Sequence, residues 1–234
     1  MDWLKTAHGN RFRDCVMPTP PSLHAAAIYA LKNINRKILY DMNNYGFRAD
    51  EFIDEEQRRA AFGCSLTYGY EVLEQSAWPY IIGAFNFGVP GGSIQTVARL
   101  VKNWIPDSSI KEVFILAPNK LRREIYDPLT SIISHINPHN ITPIIDTCYF
   151  KTIESQEERF LQFFTDYPHL NIFDEKSNDE IYDECLDTIK TCCAGRDLII
   201  INEDELLPND FLSRCGTHPG ENWHRKTAKK FLNG

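Results

Sequence analysis

The chain has 234 residues, 43% hydrophobic and 12% aromatic, enough for one substantial core, so an ordinary folded domain is the starting expectation. Its 25 basic and 32 acidic side chains leave a formal charge of -7, a field that repels phosphate backbones and makes nucleic acid a poor partner. No stretch approaches the roughly 18 continuous apolar residues of a membrane span, and the opening MDWLKTAHGNRFRDC is polar where a secretory signal needs an apolar run, so a cytoplasmic protein without membrane association is expected.

The first apolar pattern is an amphipathic stretch from Ser22 to Tyr45, opened by PTPPS with Ser22 as N-cap, which predicts a helix within an N-terminal arm over residues 1–58. A second unit, 59–234, then alternates short apolar runs with helical stretches. The runs are Ala60 to Phe62, Ala84 to Phe87, Val113 to Ala117 and Leu198 to Ile201. The last, in DLIIIN, lacks polar alternation and reads as a parallel strand covered on both faces. Trp78 with Pro79 predicts the start of a core-packing helix. Helices are expected from Gly92 to Ile105 (stopped by Pro106), Ser155 to Tyr167, Asn178 to Ala194 (ended by Gly195), and Glu221 to Leu232. Strands alternating with helices imply crossover units and an α/β fold, a three-layer α/β/α sandwich.

Seven cysteines are an odd number in a chain too large to need stapling, so a disulfide framework is not expected. The close pair Cys192-Cys193 is adjacent, which is poor spacing for chelating one ion; neither a metal nor an organic cofactor is expected.

In open α/β sheets ligands bind beyond the carboxyl ends of the strands. The first three apolar runs exit into Gly63-Cys64-Ser65-Leu66-Thr67-Tyr68-Gly69, Gly88-Val89-Pro90-Gly91-Gly92-Ser93 and Pro118-Asn119-Lys120, and the last exits into a loop leading to Cys215-Gly216-Thr217-His218-Pro219-Gly220. These segments hold a hydroxyl, two glycine-rich turns, a side-chain amide and an imidazole. A serine hydroxyl is a poor nucleophile until a base takes its proton, which pairs Ser65 with His218 as candidates. Pro219 fits the first turn of the last helix, whose N-terminus would disfavour an imidazolium.

The four segments, in this order, resemble the blocks of SGNH (GDSL-type) hydrolases. Gly63-Cys64-Ser65-Leu66-Thr67 is similar to the Gly-Asp-Ser first block, Asn86-Phe87-Gly88-Val89-Pro90-Gly91 to the second, Ala117-Pro118-Asn119 to the Gly-x-Asn third, and Cys215-Gly216-Thr217-His218 to the Asp-x-x-His fifth. Upstream, Asn43-Asn44-Tyr45-Gly46-Phe47-Arg48 is similar to a lead-in of one branch. The resemblance covers roughly 60–234. It implies a mainly parallel, flavodoxin-like sheet and a serine hydrolase forming an acyl-enzyme on Ser65, with His218 as base. The oxyanion hole would be built from the N–H of Ser65, the N–H of Gly91 and the amide of Asn119. The implied activity is that of an esterase or a carbohydrate O-deacetylase, whose partner is a small-molecule or carbohydrate ester.

Four positions depart from the pattern. Cys64 replaces the first-block Asp, Ala117 the third-block Gly and Lys120 an Asp that often follows Asn. Cys215 stands where the triad acid belongs. A thiol cannot supply the fixed charge that stabilises an imidazolium, so a Ser-His dyad is expected, its ring held by a backbone carbonyl or by Asp210 or Glu221. The alternatives are a non-catalytic binding or structural module keeping the fold, and an acyltransferase. His224 is read as a packing or surface histidine, and Arg122 and Arg123 as a solvated helix face.

Overall fold

The computed structural model describes residues 40, 42–70, 72–127, 132–136, 175–206 and 218–233. Four parallel strands form the sheet: β1 (Arg59–Gly63), β2 (Phe85–Gly88), β3 (Glu112–Ala117) and, named β6 by its place in the chain, Asp197–Asn202, in the order β2-β1-β3-β6. Each predicted apolar run falls on one of these strands, the second starting one residue early at Ala84. The register pairs Phe62 with both Phe87 and Ile115, and Ile115 with Ile200, so all four strands end at one edge. β4 (Arg123–Asp127) and β5 (Ile132–Ile136) form a separate antiparallel pair that the apolar pattern did not announce.

The helices lie on both faces, giving the expected three layers. Alternation along the strands sends Ala60, Phe62, Phe85, Phe87, Val113 and Ile115 to one face. There they meet α3 (Ile94–Trp104), through Ile94, Val97, Leu100, Val101 and Trp104, and α4 (Glu175–Cys192), through Ile189. Ala61, Phe114, Leu116 and Ile201 point to the other face. They pack with Trp78 of α2 (Trp78–Ile81) and with Trp223, Ala228 and Phe231 of α5 (Glu221–Asn233), the Trp78 and Phe231 rings stacking at 4.5 Å. Ser93 caps α3 by exchanging hydrogen bonds with Thr96, a capping box that fixes where the helix begins.

Three expectations need correction. β6 is parallel but, among the described residues, stands last in the order of the sheet, and Leu198, Ile199 and Ile200 are only half-buried where coverage on both faces was expected. Arg122 and Arg123 lie on no helix: Arg123 opens β4, where it is buried and donates to the Lys120 carbonyl. Pro219 precedes α5 and is not in its first turn, because the helix begins at Glu221. The helix predicted over Ser155 to Tyr167 lies outside the described residues, as does most of the stretch from Ser22, whose end at Met42 to Tyr45 runs into a turn. Among the described residues no helix is long and apolar enough to cross a membrane.

The lead-in Asn43 to Arg48 is a clasp. Asn43 Oδ1 accepts from the N–H groups of Tyr45 and Phe47, each at 3.0 Å, which tightens the turn and drives Phe47 into the aromatic core, 5.0 Å from Phe87. The next residue, Arg48, is 1% exposed. Its guanidinium donates to the carbonyls of Tyr68, Gly69 and Val72, and stands 4.7 Å over the Tyr40 ring. His224, on the first turns of α5, is also buried; its Nδ1 accepts from the Trp78 backbone N–H at 3.3 Å. Of the two readings, packing or surface, it is the packing one. Burial, with Arg48 and His218 nearby, holds its pKa down to about 3.

Both buried groups have measurable consequences for stability. Arg48→Met leaves three carbonyls without their charged donor and should lower unfolding stability by about 3 kcal/mol. Urea denaturation reads this as a shift in midpoint at constant slope; a loss below about 1 kcal/mol would mean the carbonyls find other donors. For His224, the unfolded chain takes up a proton as pH falls through 6.5, whereas the folded chain refuses it until about 3. Its contribution is therefore complete above pH 6.5 and is lost towards pH 3, so His224→Asn should flatten the decline of Tm between pH 7 and pH 4.5 relative to the parent chain.

Candidate active site

At the end of β1 the chain turns at once into α1 (Ser65–Tyr68), with Cys64 extended at its N-cap. The turn passes so close to β3 that a Cβ on Gly63 would lie 2.7 Å from the Leu116 carbonyl and would run into the Thr67 side chain. Only glycine fits there. Ser65 is the first residue of the helix, half-buried, and its N–H has no intrahelical acceptor. The far end of this single turn is held by the Arg48 clasp.

His218, just ahead of α5, returns to the same place: its Nε2 is 3.1 Å from Ser65 Oγ. For the hydroxyl to donate across this contact, the ring must carry its proton on Nδ1. The Tyr70 ring lies 4.6 Å from the His218 ring, tilted by 40°, and so limits how far the imidazole can swing. The structure thus brings together the two side chains that the sequence pairs. A hydroxyl hydrogen-bonded to a neutral imidazole can be deprotonated as it attacks an electrophile.

The other two predicted residues stand on the strand exits flanking Ser65, since β2 and β3 are the neighbours of β1. Gly92 N–H donates to the Val89 carbonyl at 2.8 Å, with Pro90 and Gly91 between them and Gly91 at φ 77°. This is the pattern of a type II turn, whose third residue needs the left-handed region. Among the described residues no acceptor takes the Gly91 N–H. Asn119, beyond β3, has its Oδ1 held by the Leu121 N–H at 2.9 Å, while Nδ2 has no partner among the described residues. The amide is therefore oriented with a donor unused.

A fifth residue was missed. Glu203 opens a 3-10 turn directly after β6 and is 2% exposed. Its Oε1 accepts from the Asn119 backbone N–H at 2.9 Å and lies 3.1 Å from Arg122 Nη2; its Oε2 accepts from the Cys64 thiol at 3.1 Å. Burial, assisted by the Glu203 charge, pushes the Cys64 thiol up to about 11. Cys64 is therefore an S–H donor and not a nucleophilic thiolate. The signal in the sequence was a carboxylate straight after a strand, in Asn202-Glu203-Asp204-Glu205, where three acidic residues in a row read as solvated surface.

Cys215 and Asp210 lie outside the described residues. Glu221 is engaged with Arg225, 3.8 Å away along α5. Among the described residues there is no group of three or more His, Cys, Asp or Glu able to hold a metal ion, and Cys64, Cys185, Cys192 and Cys193 are free thiols.

No protein-family model and no curated protein sequence matches the chain. Among solved structures it is similar to a candidate GDSL-like lipase from Bacteroides ovatus ATCC 8483, with 16% sequence identity and a TM-score of 0.37. The similarity covers 75% of this chain, and the chain spans about half of that protein, 51%.

Proposed function

We propose that the protein is a serine hydrolase of the SGNH type acting on ester bonds. The observation that carries this reading is the contact of 3.1 Å between Ser65 Oγ and His218 Nε2 at the carboxyl edge of a parallel sheet. In the proposed reaction, Ser65 Oγ attacks the ester carbonyl while His218 Nε2 takes its proton. The oxyanion is met by the N–H of Ser65, the N–H of Gly91 and Nδ2 of Asn119, three donors left unused among the described residues. Collapse expels the alcohol, protonated by His218, and leaves an acyl group on Ser65. Water, activated by the same imidazole, then releases the acid. No metal or organic cofactor enters this scheme. The expected substrate is a small-molecule or carbohydrate ester, and a carbohydrate O-deacetylase is one form the activity takes.

A second reading, a non-catalytic module with the same fold, is favoured by one feature only: Cys215 at the position of the acid. The two readings separate on covalent labelling. A fluorophosphonate probe should label the protein on Ser65, Ser65→Ala should abolish the label, and p-nitrophenyl acetate should be hydrolysed by the parent chain alone. A parent chain that takes no label supports the non-catalytic module, whereas a label surviving Ser65→Ala places the nucleophile elsewhere.

Asn119→Ala tests the oxyanion donor. Removing a donor that binds the transition state preferentially should lower kcat by about a hundredfold and leave KM nearly unchanged. A rise in KM at constant kcat would make Asn119 a contact to the bound substrate instead.

A further inference from the structure

We propose that Glu203 is a positioning residue that ties the exits of β1, β3 and β6 together and so holds Asn119 and Ser65 in register; the proposal rests on the hydrolase reading. A carboxylate this deeply buried is tolerated only when both oxygens are satisfied. Here each one is used, and by different parts of the chain. Oε1 takes the Asn119 N–H and Arg122, from the segment leaving β3. Oε2 takes the thiol of Cys64, the residue before Ser65. Glu203 itself heads the 3-10 turn that follows β6. With its backbone N–H on Glu203 and its Oδ1 on Leu121, Asn119 is fixed at two points, and the first of them is lost if the carboxylate turns away.

The same geometry accounts for the departure at position 64. An acid there would face the Glu203 carboxylate across a contact of 3.1 Å, where two carboxylates cannot both stay ionised. A neutral thiol can donate. The charge that the Gly-Asp-Ser pattern places beside the nucleophile is supplied from across the sheet, by Glu203.

The test is a swap. Glu203→Gln keeps the shape but removes the charge, and should lower kcat for p-nitrophenyl acetate, and the rate of fluorophosphonate labelling, by about tenfold with KM within about twofold. Cys64→Asp should be the more damaged protein, and the double variant Cys64→Asp/Glu203→Gln should recover at least about tenfold of what Cys64→Asp loses. A Cys64→Asp chain that fails to fold while the double variant folds counts as that recovery. Glu203→Gln with a lowered Tm but unchanged kcat and labelling rate would reduce Glu203 to a stabilising residue, and a double variant no better than Cys64→Asp would remove the link between positions 64 and 203; either overturns the proposal. If the parent chain is neither active nor labelled, it is the hydrolase reading that fails. The tie between the exits is then decided by melting: it stands only if the double variant melts closer to the parent than Cys64→Asp does.

Discussion

Every strand of the parallel sheet delivers the chain to the same edge, and there the peptide groups lose their ladder partners. Buried groups of this kind have to be satisfied by something else. In this protein two charged side chains meet the need, with opposite signs. Arg48, reaching from the lead-in, supplies donors to the carbonyls at the end of α1. Glu203, reaching from the end of β6, supplies acceptors to the Asn119 N–H and the Cys64 thiol. Between them stands Ser65, whose hydroxyl faces His218. The site is a stretch of irregular backbone made rigid by buried charge.

Much of the framework was legible because it depends on local rules. Apolar runs of strand length gave all four strands of the parallel sheet, and Pro106 and Gly195 marked where helices stop. Ser65 and His218 could be paired because both lie beyond apolar runs and because the chemistry needs a hydroxyl and a base. The illegible part depends on long-range partners. The pairing of β4 with β5 has no period that distinguishes it from a loop, and the half-exposure of Leu198 to Ile200 is a matter of where β6 sits in the sheet order. Arg122 and Glu203 are 81 positions apart by their numbers, and nothing near either one announces the other.

Cys64 shows the same limit from the other side. As a departure from a pattern it is only a lost acid outside the candidate pair Ser65 and His218. In the fold it is a donor facing a carboxylate, so its meaning is set by a residue in the turn beyond another strand.

The clasp made by Asn43 to Arg48 bears on how the molecule opens. Proteins unfold locally in cooperative segments, and a segment that shares its hydrogen bonds with a distant one opens together with it. Phe47 lies among Phe85, Phe87 and Trp104, while Arg48 holds the turn that comes after Ser65. The backbone ahead of the sheet and the backbone around the serine therefore belong to one opening unit. Breathing on the N-terminal side of β1 would be felt as loosening at the hydroxyl, although the two are separated in sequence by a whole strand.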